Sequence, residues 1–198
     1  EKWKYVAGTN TLTLDGYNGG AIIAEDIDLN IVIRGENTVN LTENTDELNT
    51  YQGIISKTGN ITINGTSADT LNLVAEMAAN NYSYYRGIDA YGSVYIEGGN
   101  VNVDFTEAAG NTDESYAFGL CGSNGKTYVK GSATLNVNID APNFSAMGIL
   151  RTLNASTSGD IEINVNGKYD SEAALSGWLT ASGSGDITVT GTNGPAIS

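Results

Sequence analysis

The chain has 198 residues, with 23 acidic side chains against 9 basic ones, a net charge of −14, no histidine and one cysteine. Without imidazole, a Ser-His-Asp or Cys-His nucleophile and a histidine-ligated zinc are excluded, and one cysteine cannot form an internal disulfide. The acidic balance argues against binding nucleic acid, and no apolar run approaches the ~20 residues that cross a bilayer. The composition therefore predicts one acidic domain over residues 1–198, without membrane insertion and with an extracellular or cell-surface location.

Residues 1–16 are predicted to form an N-terminal cap and the first strand. The segment 11–14 alternates threonine with leucine, and Asp15 and Gly16 make a turn after it. Trp3 and Tyr5 come ahead of this strand. We expect their rings to cover the apolar layer at the start of the fold.

A repeat of about 30 residues follows. A small residue and then a branched apolar one recur at steps of 32, 34, 32 and 29 residues. The apolar members, called anchors below, are Ile22, Ile54, Ile88, Leu120 and Ile149. After each anchor comes an alternating segment that usually closes on glycine, at 35, 65, 98, 131 and 191, and the first four units add a third alternating segment. Each repeat therefore contains three short strands.

Similar segments at a fixed period stack most simply in parallel, so that inward Ile, Val and Leu form continuous columns. The sequence predicts an all-β parallel β-helix of about five to six coils, with glycines at the corners. An antiparallel sandwich or barrel is the alternative, because it also has many short strands and glycine turns. It does not explain why corresponding segments look alike.

The later coils depart from the pattern. Residues 154–159 read as an insertion, the segment 187–191 reads as a second strand of its coil, and the third strand after Gly167 is missing. Residues 170–175 are predicted to form a short helix with Asp170 as N-cap. The stretch 168–198 is thus an irregular C-terminal coil, and its anchor-like end suggests continuation into further domains of a longer chain.

Length variation is concentrated between the third strand and the next anchor, so variable loops should lie on one side of the solenoid. These loops are residues 42–52, 76–86, 107–118 and 140–147. Aromatic rings stack on the C–H faces of sugars, and polar side chains bond to the hydroxyls. The candidate glycan contacts are Tyr82, Tyr84, Tyr85, Arg86 and Tyr116, with Tyr85 and Tyr116 on neighbouring rungs. Packing of these rings against the solenoid is the structural alternative.

Three stretches carry a resemblance to a known group of proteins. The segments 3–5, 10–16 and 31–39 resemble β-helical repeat regions in exported and surface proteins of anaerobic gut bacteria. The resemblance implies a right-handed β-helix, as in the wider group that includes pectate lyases, and a carbohydrate as partner. That group spans lyases, glycosidases and adhesins, and no local motif here matches its catalytic residues.

Two further columns are predicted on outward strand positions. Asparagines at 40, 72, 102 and 136 would form one row, either a self-bonded ladder or a flat polar binding face. Cys121 would lie beside Ile55 and Asp89, where an acidic neighbourhood raises the thiol pKa and disfavours nucleophilic chemistry.

Carboxylates are the remaining catalytic candidates. They occur as Glu25, Asp26 and Asp28, as Asp46 and Glu47, and as Asp113 and Glu114. None recurs in register across adjacent coils, and polyuronate lyase chemistry is disfavoured because the surface would repel an acidic substrate. No catalytic residue, metal ligand or cofactor is assigned, although the abundant Asp and Asn allow structural calcium.

The sequence thus predicts an exported, non-catalytic glycan-binding or adhesive module. A carbohydrate-active enzyme using loop carboxylates is one alternative, and a structural spacer in a larger surface protein is another.

Overall fold

The computed structural model of the protein describes residues 2–45, 47, 49–78, 82–110, 115–168 and 173–198. The chain winds through three sheets, here called A, B and C, and visits them in that order in every coil. Apart from the first strand of the chain, which is antiparallel to the second, successive strands of each sheet run parallel. The predicted all-β parallel solenoid with three strands per coil is confirmed.

Strands are numbered in chain order. Sheet A contains β1 (Trp3–Val6), β2 (Thr11–Asp15), β5 (Leu29–Arg34), β9 (Ile61–Asn64), β12 (Val94–Ile96), β15 (Thr127–Gly131), β18 (Leu153–Thr157) and β21 (Leu179–Ala181). Sheet B contains β3 (Asn18–Gly19), β6 (Glu36–Asn40), β10 (Thr70–Met77), β13 (Asn100–Glu107), β16 (Thr134–Asp140), β19 (Ile161–Asn166) and β22 (Ile187–Thr192). Sheet C contains β4 (Ile22–Ala24), β8 (Thr50–Ser56), β11 (Tyr84–Ala90), β14 (Ser115–Gly122), β17 (Phe144–Leu150) and β20 (Leu175–Ser176), with β7 (Thr42–Glu43) antiparallel to β8. A 3-10 turn, Ala7–Thr9, joins β1 to β2.

The anchors define the register of sheet C. Ile22 pairs with Ile54, Ile54 with Ile88, Ile88 with Leu120, and Leu120 with Ile149. In sheet A the same kind of column runs through Ile31, Ile63, Ile96 and Val129. These side chains point into one shared hydrophobic core, and apolar burial of this kind is the main force that stabilises the fold.

The later coils are more regular than predicted. Residues 153–157 form the sheet A strand of their coil, and residues 161–166 form its sheet B strand, so neither an insertion nor a missing strand is present. Residues 187–192 belong to sheet B instead of being a second strand. The helix predicted over residues 170–175 is wrong in its described part, because Leu175 begins β20; Asp170 lies outside the described residues.

The N-terminal segment forms the edge strand of sheet A. β1 lies antiparallel to β2, and all four of its residues are exposed, Trp3 with 55% of its surface and Tyr5 with 41%. Trp3 and Tyr5 are the register partners of the core residues Leu14 and Leu12, so both rings lie on the core side of the sheet. That they cover the apolar layer stays a prediction.

The predicted corners are confirmed at glycines 35, 65, 98 and 131, which lie at the end of a sheet A strand or between sheets A and B, but Gly191 lies inside β22. The variable loops join sheet B to sheet C, as β10 joins β11 and β13 joins β14. At the corner between sheets A and B, Gly35 and Gly131 have φ of 62° and 66°, which L side chains rarely adopt.

Polar side chains bond from coil to coil at these corners. Asp69 accepts the Gly35 N–H at 2.7 Å with one oxygen, and the Thr66 N–H and hydroxyl, each at 2.7 Å, with the other. These bonds, those from Thr66 above all, hold the pKa of Asp69 below its usual value of 3.8.

We expect Asp69→Asn to make the stability of the protein less sensitive to acid. A lowered pKa means that the Asp69 contribution is fully present above the unfolded value of 3.8 and is lost as the pH falls towards the folded value. Melting temperatures between about pH 6 and pH 3 should therefore fall less in Asp69→Asn than in the parent. An identical acid dependence in both proteins would contradict this role, and Asp26→Asn, on an exposed carboxylate, is the control.

Candidate functional site

The predicted aromatic contacts lie on or beside the outer face of sheet C. Tyr84 and Arg86 point outward from β11, and Tyr116 points outward from β14. Tyr82 precedes β11, has φ of 63° and keeps 61% of its surface exposed. The structure thus brings Tyr84, Arg86 and Tyr116 together on one face. The neighbouring Asn80 and Asn81 lie outside the described residues.

The outward rings stack along the solenoid. Tyr84 and Tyr116 are register partners, with ring centroids 4.9 Å apart and an angle of 9° between the rings. Phe118 lies beside this pair on the same strand as Tyr116, with ring centroids 6.4 Å apart. The stack covers one face of the Tyr84 ring and one face of the Tyr116 ring, which reduces the ring surface open to a ligand.

Tyr85 points inward and is buried, although it lines one of the grooves described below, so its role as a glycan contact stays a prediction. Its side chain is 2% exposed and stacks on Tyr51 at 4.5 Å, with the Phe144 ring edge at 5.9 Å. The alternation of β11 breaks at Gly87, where two successive residues, Gly87 and Ile88, face the core. Tyr85 therefore points inward, and Tyr84 is the residue beside Tyr116.

The buried Tyr85 hydroxyl acts as both a hydrogen-bond donor and a hydrogen-bond acceptor. It donates to the Ala78 carbonyl and accepts the Ala78 N–H, each at 3.0 Å. Burial is the main cause that raises the pKa of Tyr85 to about 12.

We expect Tyr85→Phe to lower the free energy of unfolding by about 1 kcal/mol near neutral pH, because it removes these bonds. The raised pKa also predicts how stability depends on pH. The contribution of Tyr85 to the free energy of unfolding is fully present below the unfolded pKa of 10 and is lost as the pH rises through about 12. Urea unfolding at increasing alkaline pH should show a steeper loss in the parent than in Tyr85→Phe. Equal slopes would contradict the assignment.

A second column on sheet C contains Ile55, Asp89 and Cys121, as predicted. Arg86 lies 3.4 Å from Asp89, whose other oxygen accepts the Ser123 hydroxyl at 3.2 Å. Cys121 is 7% exposed, and burial raises the pKa of its thiol, which disfavours a thiolate nucleophile.

Of the catalytic carboxylate candidates, the structure describes Glu25, Asp26, Asp28 and Glu47. Asp46, Asp113 and Glu114 lie outside the described residues. Glu25 pairs with Lys57 at 2.9 Å. Asp28 accepts the backbone and side-chain N–H groups of Asn60 at 2.7 and 3.0 Å, so it stabilises a corner.

The residues that the structure describes include no cluster of three or more His, Cys, Asp or Glu side chains that could hold a metal ion. Structural calcium remains a prediction from composition. The described part of the chain also contains no helix long and apolar enough to span a membrane.

A polar surface, here called the amide face, covers the outside of sheet B. It consists of two adjacent columns that run across five successive strands. The first column is Thr38, Asn72, Asn102, Asn136 and Glu162, and the second is Asn40, Val74, Asp104, Asn138 and Asn164. The predicted row is therefore correct for three asparagines, whereas Asn40 belongs to the second column.

Five of the six asparagines of the amide face make hydrogen bonds to neighbouring groups, and Asn40 donates two, to Asn18 at 3.0 Å and to the Gly19 carbonyl at 3.2 Å. Asn102 donates to Asn72 at 2.9 Å, Asn138 donates to Asp104 at 2.9 Å, and Asn164 donates to Glu162 at 2.7 Å. Each amide and carboxylate has more bonding capacity than one such contact uses. The face therefore keeps donors and acceptors for a ligand.

The amide face is concave. A groove of about 460 Å³ runs over both columns, and a second groove of about 530 Å³ joins it at Val74 and Asp104. The second groove is lined by Leu41, Tyr51 and Glu107 near the corner towards sheet C. No lysine or arginine is among the described residues that line either groove.

Sequence reasoning also missed an aromatic pair on sheet A. Tyr95 and Tyr128 stack at 4.8 Å, and the Lys130 ammonium lies 4.9 Å from the Tyr95 ring. Both tyrosines occur at the same place in successive repeats, which is the signal that could have identified them.

Comparison with known proteins places the chain in no group: no family model, no curated protein and no solved structure matches it.

Proposed function

We propose that this chain is a non-catalytic, extracellular glycan-binding or adhesive module and that the amide face binds the glycan. The observation that carries the proposal is the pair of joined grooves, whose floor presents an amide, carboxylate or hydroxyl at every outward position of both columns except Val74. Strands hold these groups at fixed spacing, so little side-chain order has to be created on binding.

The chemistry of the face matches that of sugars. A hydroxyl both donates and accepts hydrogen bonds, an asparagine amide does the same, and a carboxylate accepts. Val74 and Tyr51 add apolar surface, which packs against sugar C–H groups. The carboxylates of Asp104 and Glu162, with no cation in the lining, favour a neutral glycan over a polyuronate.

The aromatic row on sheet C is the weaker candidate for the main site. Tyr84 and Tyr116 each cover one ring face of the other, and Tyr85 is buried. Sugar stacking needs an open ring face, so this row offers less of the required surface.

We propose binding without cleavage because acid–base hydrolysis of a glycosidic bond needs two carboxyl groups about 5 to 9.5 Å apart. The described lining of the two grooves holds the carboxylates of Glu76, Asp104, Glu107 and Glu162. Three of them already have a structural role, because Asp104 accepts a hydrogen bond from Asn138, Glu107 from Asn143 and Glu162 from Asn164. Product analysis over a polysaccharide panel tests this point, and turnover that Asp104→Asn abolishes would overturn it.

Affinity electrophoresis through gels that contain soluble neutral polysaccharides tests the binding. We expect at least one polysaccharide to retard the parent protein. The double variant Asn102→Ala/Asn138→Ala should bind about 10- to 50-fold more weakly, because each lost hydrogen bond is worth about 1 kcal/mol.

Asn154→Ala, which removes an amide from the outer face of sheet A, is the matched control and should migrate as the parent does. Lack of retardation on every gel, or equal retardation of the double variant, would contradict the proposal.

A further inference from the structure

A second concave site lies on the outer face of sheet C. A groove of about 310 Å³ is lined by Gln52 and Ile55 from β8 and by Arg86 and Asp89 from β11. A smaller cavity of about 170 Å³ adjoins it, shares Arg86 and Asp89, and is walled by Phe118. The ion pair of Arg86 and Asp89 therefore lies between the polar groove and the more apolar cavity.

Gln52 is the unusual residue of this site. Its side chain is 2% exposed, and among the described residues its Oε1 has no hydrogen-bond partner. Buried side-chain oxygens in native proteins are almost always bonded. Gln52 is the register partner of Arg86, so its unbonded oxygen lies on the rung next to the guanidinium.

The ion pair of Arg86 and Asp89 can form further hydrogen bonds. Arg86 Nη1 and Asp89 Oδ2 are 3.4 Å apart, longer than the 2.7 to 2.9 Å of a strong charge-assisted bond. The side chains are 35% and 16% exposed, respectively. Both groups can therefore bond to a molecule in the groove.

The charges of the groove select the class of ligand. Two carboxylates, of Glu47 and Asp89, and two cations, Lys57 and Arg86, line the groove. An anion would therefore meet carboxylates, and a cation would meet an ammonium and a guanidinium. A neutral hydroxyl suits both, since it donates to a carboxylate or amide oxygen and accepts from a guanidinium. The half-buried Phe118 ring beside the pair provides the apolar surface that a sugar C–H face requires.

We propose that this groove is a second, separate site for a single neutral sugar residue. Neighbouring hydroxyls of the sugar bond to Arg86 and Asp89, and the sugar packs on Phe118. Lining side chains cover Gln52, so a sugar hydroxyl reaches its Oε1 only when one of them moves. Arg86 is partly exposed and therefore has room to move. The site uses none of the residues of the amide face, so it does not depend on the proposed function of that face.

Two sites on different sheets of one solenoid would make the module bivalent. A glycan surface that engages both would be held more tightly than either site alone allows, because the second contact becomes intramolecular.

Titration with the methyl glycosides of glucose, galactose and mannose, followed by NMR, tests the site. We expect saturable shifts of the Gln52 side-chain amide and the Arg86 Nε–H with at least one glycoside. Gln52→Leu should raise the dissociation constant at least tenfold while the melting temperature stays the same or rises, because the variant removes a buried amide oxygen that has no hydrogen-bond partner among the described residues. Gln52→Met serves the same purpose should the leucine variant not fold.

Asn154→Leu is the matched amide-to-leucine control, and Asn102→Ala/Asn138→Ala should leave these shifts intact whether or not the amide face binds glycans. No shift with any glycoside, unchanged affinity in the Gln52 variants, or a lower melting temperature in both of them would overturn the proposal. Tighter binding of glucuronate than of methyl glucoside would also overturn it, because the ligand would then be an anion.

Discussion

Phe105→Ala is expected to lower the free energy of unfolding by about 3 to 5 kcal/mol. Phe105 lies on β13, is fully buried, and is the register partner of Ile139 on β16. Removing the ring takes away buried apolar surface and leaves a cavity that a rigid stack of strands cannot close. Because whole domains are stable by only about 5 to 15 kcal/mol, urea unfolding should show a clearly lower midpoint.

Phe118→Ala is the matched control for this change. Phe118 lies on β14, the following strand of the same coil, but points outward, with its ring only half-buried. Its loss should therefore cost less than half as much as that of Phe105. Equal destabilisation by the two variants would contradict the assignment of inward and outward faces.

Gly87→Val is expected to destabilise the protein by about 3 kcal/mol or more, since it overpacks the core against backbone. A Cβ at this position would lie 2.5 Å from the Gly119 carbonyl oxygen of the next coil and 3.1 Å from the Phe105 ring. Gly53 is in the same situation with respect to Gly87, again at 2.5 Å. The glycine column thus lets successive coils approach at the bend of sheet C.

Thermal unfolding of Gly87→Val, with Gly8→Ala as control, measures this effect. No atom lies within 4 Å of a Cβ built on Gly8, so that change should stay within about 0.5 kcal/mol. Combining Gly87→Val with Phe105→Ala should not restore stability, because the Gly119 carbonyl remains in place. Full rescue by the double change would show that the ring, and not the backbone, is the obstacle.

The fold was predictable where the repeat is strict. The anchors Ile54, Ile88 and Leu120 set the register correctly because branched apolar residues recur at nearly constant spacing. The later coils were misread because the sheet A column continues through Ala155 and Ala181, which lack the branched side chains that mark a buried strand. Shorter coils after Ile149 hid the pattern further.

The site was harder to predict, for two physical reasons. A slip of two residues leaves every side chain on the same face of a strand, so pattern alone could not separate Asn40 from the row that begins at Thr38. Alternation counted back from Ile88 puts Tyr85 outside, but the bend at Gly87 reverses the faces. The concave shape of the amide face arises from the stacking of coils, so no single repeat of the sequence reveals it.

The central claim is that the amide face binds a neutral glycan, and NMR of the asparagine side-chain amides tests it most directly. An oligosaccharide from a polysaccharide that retards the protein should shift the amide signals of Asn72, Asn102, Asn136 and Asn138 together and leave Asn154 on sheet A unchanged. Shifts confined to Asn154 or to residues of sheet C, with the four amides unmoved at saturation, would contradict the claim.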